Sequence, residues 1–194
     1  MIELLGGFER AMEMLATDTG LDADHCQFVD DAFGLPVLND RDGVAVSTGH
    51  RKLLAVDFWW APDWPAPGAT GWDSQSHGSH VAGTIAARDN DLGVVGVAPG
   101  ARLHAVKVLD SRGSGYTSWI IQGIDWVTAH ADVIEVANMS LGGAGSDDTN
   151  GGDCNASKDA EHRAICRAVA AGITFVVAAG NAKDDAKFHT PAAY

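Results

Sequence analysis

The stretch RLHAVKVLDSRGSGYTSWIIQGIDWVTAHADVIEVANM, Arg102–Met139, decides the fold. Arg102–Leu109 is an apolar, partly β-branched run that reads as a strand. Ser118–His130 is an amphipathic helix, and Val133–Met139 returns to a strand. Strand, helix and strand in that order form a βαβ unit, whose two strands must run parallel because the helix carries the chain back. The pattern continues outward in both directions. Downstream, Asp159–Ala171 reads as a helix and Thr174–Ala179 (TFVVAA) as a nearly all-apolar, buried strand. Upstream, Ser76–Ala87 (SHGSHVAGTIAA) reads as a small-residue helix opened by Ser76. The expected fold is therefore α/β: a doubly wound, mostly parallel sheet with helices on both faces. Sites in such sheets form outside the carboxyl ends of the strands.

Two regions fit the pattern less well. Met12–Thr17 (MEMLAT) favours helix by propensity, so either an extra helix leads in or the run lies in or beside a first strand. Residues 29–75 are rich in Pro, Gly and Asp and carry Trp59, Trp60, Trp64 and Trp72. They read as a long decorated loop with a short strand at Leu53–Phe58, the tryptophans packing the loop onto the body. No internal repeat or low-complexity tract is present. The whole chain, 1–194, reads as one domain.

Composition excludes several classes. A formal net charge of −13 opposes binding to nucleic acid or to anionic membrane surfaces. The longest apolar stretch, Ala168–Ala179, is far short of the ~20 residues a membrane span needs. Met1–Leu15 has no basic leader before an apolar run, so no signal peptide is read there. A monomer is expected. Cys154 and Cys166 flank a polar stretch and have two readings, a disulfide in an oxidising compartment or two free thiols; Cys26 stands apart.

Four segments carry candidate chemistry. Asp18-Thr19-Gly20 places a carboxylate at a strand end, with Gly20 allowing a sharp turn. His77-Gly78-Ser79-His80-Val81-Ala82-Gly83-Thr84 puts an imidazole at a helix start whose small residues allow close packing. Asn138-Met139-Ser140-Leu141-Gly142-Gly143 closes one strand, and Val176-Val177-Ala178-Ala179-Gly180-Asn181 ends another in a side-chain amide. His77-x-x-His80 could suggest zinc, but tetrahedral zinc wants three or four ligands and only His25 or Cys26 are plausible additions. His80 reads instead as a packed helix residue and His25 as structural, and no metal ligand is assigned.

Together the four segments resemble the subtilisin-like serine peptidase (subtilase) family, from about Asp18 to Tyr194 apart from the 29–75 insertion. The His and Asn segments are highly specific, and the order Asp then His fits a family whose serine comes last. The resemblance implies that Asp18 orients His77 and stabilises its imidazolium. It implies that His77 is the general base and then the acid toward the leaving amine, and that Asn181 donates to the oxyanion. It further implies an extended polypeptide substrate pairing with Gly113-Ser114-Gly115 as an edge strand, and with Ser140-Leu141-Gly142 from the other side. Those last residues and Ala178-Ala179-Gly180 would wall a pocket with room for a large apolar side chain. A secreted enzyme needing no cofactor is expected. A calcium position is implied at the Asp89–Gly93 loop through Asn90, with Gln27 where the family usually offers a carboxylate.

The resemblance stops short of the serine. No Gly-Thr-Ser occurs in the sequence, and Ser140 lacks the Gly-x-Ser-x-Gly setting of a nucleophile elbow. The expectation is a fragment, incomplete at its carboxyl end, inactive by itself and with one sheet edge and face uncovered. The alternative expectation is a noncatalytic relative that binds extended peptides. A strand at Val44–Gly49 that lacks an aspartate is a decoy for the first motif.

Overall fold

The computed structural model describes residues 13–22, 25–28, 53–58, 73 and 75–194. In chain order its strands are β1 (Glu13–Asp18), β2 (Leu53–Phe58), β3 (Arg102–Lys107), β4 (Val136–Met139), β5 (Gly143–Ala144), β6 (Thr174–Val177) and β7 (His189–Thr190). Its helices are α1 (His77–Ala86), α2 (Thr117–Ala129) and α3 (Ala160–Ala170). Five strands make one sheet in the order β2-β3-β1-β4-β6, every neighbour parallel. β5 and β7 form a small antiparallel pair.

β3 shows how the sheet is covered on both faces. Leu103 and Ala105 point to one side and pack with Ala82 and Ala86 of α1 and with Leu21 and Phe28. His104 and Val106 point to the other, where α2 and α3 contribute Ile120, Ile124, Val127, Ala164, Ile165 and Ala168. Alternating side chains along one strand therefore feed two separate cores. Each fully buried aliphatic side chain contributes roughly 1.5–3 kcal/mol, so both layers matter to the fold.

Several expectations change in detail. Met12–Thr17 is not a leading helix: Glu13–Asp18 is a strand paired on both sides, with β3 and with β4. Ladder bonds to two neighbours outweigh a propensity preference of a few tenths of a kcal/mol per residue. β4 begins at Val136, after a turn over residues 131–133. β6 is not buried throughout. It is the last strand of the described sheet, its residues alternate between exposed and half-buried, and Val176 is 51% exposed. The short strand Leu53–Phe58 forms and pairs with β3, whereas the four tryptophans and the Val44–Gly49 decoy lie outside the described residues. Cys154 and Cys166 are joined in a disulfide, leaving Cys26 a free, exposed thiol. Among the described residues no helix is long and apolar enough to cross a membrane.

Candidate active site

β1 is the centre of the sheet, and Asp18 is its last residue, only 1% exposed. The backbone leaves the strand through Gly20 at φ +118°, a conformation that side chains resist. That turn is tied down at several points. The Asp18 carbonyl accepts from Val108 N at 3.0 Å, and Asp18 Oδ1 accepts from its neighbour Thr19 N at 2.7 Å. The buried Lys107 ammonium donates to the Thr19 carbonyl. Burial lowers the Lys107 pKa, although Asp73, Asp110 and Asp18 favour its charged form.

His77 reaches Asp18 from the other side, as the first residue of α1. Its Nδ1 lies 2.8 Å and 2.9 Å from the two carboxylate oxygens. Nδ1 therefore carries the donated proton, and Nε2 is the ring nitrogen not engaged by the carboxylate. Burial raises the Asp18 pKa, outweighing the hydrogen bonds from His77 and Thr19 that lower it. α1 can approach this closely because residue 78 has no side chain: a Cβ on Gly78 would sit 2.2 Å from the Gly20 carbonyl oxygen.

The start of α1 is not capped by Ser76, which adopts φ +72° and makes no side-chain cap. Asp73 does this work. Its Oδ1 accepts from Ser76 N (2.8 Å), Gln75 N (3.1 Å) and Thr19 Oγ1 (2.6 Å), and its Oδ2 from Ser79 N (2.7 Å). Thr19 Oγ1 in turn accepts from Gly78 N at 3.0 Å. One buried carboxylate thus joins the β1 turn to the helix that carries His77. Burial raises the Asp73 pKa, but these hydrogen bonds prevail and hold the group below the usual carboxylate range. Asp73 is not among the residues that the sequence motifs single out. An acidic residue just before a helix start was the available signal, but it sat in a segment read as loop.

A cleft of about 720 Å³ opens at the carboxyl ends of the strands, lined by His77, Gly113–Gly115, Ser140–Gly142, Ala178, Gly180 and Asn181. Of the residues proposed from sequence, Asp18 lies buried beside His77, and Ala179 is not part of the lining. Gly113-Ser114-Gly115 is not a strand here. It follows a turn closed by Asp110, whose Oδ1 accepts from Arg112 N and Ser114 N, both at 2.9 Å. The far wall is knitted by β7. A Cβ on Gly142 would fall 2.5 Å from the Thr190 carbonyl oxygen, and one on Gly180 (φ +96°) would fall 3.0 Å from the His189 ring.

Glu161, in the first turn of α3, also lines the cleft and is 8% exposed. Burial, reinforced by the Asp159 carboxylate, pushes its pKa up to about 7. Nothing in the sequence distinguishes it from an ordinary acidic residue in a helical first turn.

The zinc suggested by His77 and His80 does not fit these residues. His80, His25 and Cys26 are exposed, so His80 is not the packed residue expected, and none belongs to a group of three metal-ligating side chains among the described residues. At the Asp89–Gly93 loop, Asn90 donates Nδ2 to the Cys26 carbonyl (3.1 Å) and accepts at Oδ1 from Leu92 N (3.3 Å). Asn90 Oδ1 and Gln27 Oε1 are amide oxygens of the kind calcium accepts, and no carboxylate stands at position 27.

The Subtilase family profile matches residues 16–194. Subtilisin E of Bacillus subtilis is 50% identical over 109 residues, covering 56% of this chain and 25% of that protein. An extracellular serine proteinase of Thermus sp. is 44% identical over 126 residues, covering 65% and 27% respectively. A crystal structure of a cold adapted subtilisin-like serine proteinase superposes with a TM-score of 0.62 at 30% identity, covering 93% of this chain and 50% of that one. The chain thus spans about a quarter of these curated relatives and half of that structure. A profile match running from inside β1 to the final residue, over the strand ends that build the cleft, places the chain in the subtilase family.

Proposed function

We propose that this chain carries the base, orienting acid and oxyanion donor of a subtilisin-like serine endopeptidase, acting on extended polypeptides outside the cell. The observation that carries the reading is the Nδ1 contact of His77 with both Asp18 oxygens, at the edge of a cleft that also holds Asn181. Asp18 keeps the imidazole proton on Nδ1, which leaves Nε2 to take a proton from a serine hydroxyl and return it to the departing amine. The Asn181 amide would donate to the oxyanion formed on the attacked carbonyl. The substrate backbone would run between Gly113–Gly115 and Ser140–Gly142, where the lack of side chains on the glycines leaves main-chain groups accessible. Secretion accords with the disulfide, which persists in oxidising compartments.

No Gly-Thr-Ser is found within the 194 residues. A polypeptide of these residues alone is expected to show no labelling by a fluorophosphonate probe. The complete gene product is expected to be labelled at a serine encoded beyond Tyr194. In it, Asn181→Ala should reduce kcat by 10²–10³, a magnitude known from subtilisin itself. A complete gene product that stays unlabelled yet binds peptides would favour the noncatalytic alternative.

A further inference from the structure

The loop between β5 and α3 holds a second cluster of ionisable side chains. We infer that Asp147, Asp148 and His162 form a binding site for a zinc ion. One ligand atom from each of the three residues lies within 4.8 Å of the other two. The decisive observation is His162. Its residue is 6% exposed, and its buried Nδ1 has no hydrogen-bond partner. The nearest carboxylate oxygens, on Asp147 and Asp148, lie at 3.7 Å and 3.9 Å. Those separations are too long for hydrogen bonds. They are close to the roughly 3.4 Å between neighbouring ligands on a tetrahedral ion with ~2.1 Å bonds.

The carboxylates stay back because other donors hold them. Asp147 accepts from Thr149 N and Oγ1 (2.7 Å each) and from Gly151 N (2.6 Å). Asp148 accepts from Ser157 Oγ (2.5 Å) and Lys158 N (2.6 Å). These donors hold both carboxylates in position, as the outer partners of metal ligands do. The ring is also fixed from behind, stacked on Tyr194 at 4.2 Å and 3°. The Cys154–Cys166 disulfide pins the loop one helical turn beyond His162. The positive end of α3 opposes a cation, but two formal negative charges in contact with it favour one more strongly.

The donor set selects the ion. An imidazole nitrogen argues against calcium and magnesium, which take oxygen, and two carboxylates with one imidazole suit zinc. Asp148 is about one-third exposed, leaving room for water as the fourth ligand. The site is separate from Asp18 and His77 and does not depend on the peptidase reading.

The test is equilibrium dialysis of the Cys26→Ser chain against chelator-buffered zinc, the serine removing the exposed thiol. One retained equivalent is expected, with affinity at least about tenfold weaker in His162→Gln and in Asp148→Asn. Cobalt added to the unmutated ligand set gives a readout independent of variant folding, namely the visible absorption of a tetrahedral nitrogen–oxygen site. Failure to retain zinc, retention that both variants leave intact, or cobalt with an octahedral water-like spectrum would each overturn the inference.

Discussion

At the scale of single residues, two buried carboxylates near the cleft are held in opposite states for visible reasons. Asp73 receives four hydrogen bonds and stays ionised, whereas Glu161 has only burial and a like-charged neighbour to respond to. The Glu161 shift has a definite sign. A carboxyl whose folded pKa exceeds its unfolded value binds more protons in the native state, so stability falls as pH rises from about 4.5 toward about 7. The full shift corresponds to about 3 kcal/mol, which the α3 N-terminus reduces by up to about 1 kcal/mol. Urea denaturation at a series of pH values should show this loss in the native chain and its absence in Glu161→Gln. A slope unchanged by that substitution would contradict the assignment. The histidine and asparagine motifs were legible because small residues around them left few alternative readings. Asp73 was not legible, because its role depends on where the turn after β1 lies in space.

At the scale of elements, the βαβ unit of Arg102–Met139 is the part sequence specified best. Its apolar spacing and the two-faced burial of β3 express the same alternation. Where the sequence left alternatives open, tertiary pairing decided between them. Glu13–Asp18 is a strand because it lies between two others, and Gly113–Gly115 follows a turn that Asp110 closes and pairs with no strand of the described sheet. The disulfide links residues 12 apart across the loop and α3. A closed loop of this size stabilises by roughly 3 kcal/mol through the unfolded state. Replacing both cysteines with serine should lower stability by about that amount in chemical denaturation, and a change below about 0.5 kcal/mol would contradict it. The same staple holds the loop that carries Asp147 and Asp148, so zinc affinity should fall with it.

At the scale of the whole molecule, a net charge of −13 coexists with an apolar segment open to solvent. Leu92, Val94, Val95 and Val97 are 55–88% exposed along one loop. Like-charge repulsion keeps copies apart at low ionic strength, and at about 0.15 M salt the screening length shrinks to ~8 Å. Self-association measured by light scattering should therefore increase with salt for this polypeptide. Association that weakens as salt is added would point to charge pairing in place of apolar contact.

Because residue 78 has no side chain, α1 rests directly on the turn at Gly20, backbone against backbone. The direction from which the neighbouring imidazole meets Asp18 is consequently set by main chain. Any side chain at position 78 would push that helix off the strand end and carry the imidazole away from its carboxylate.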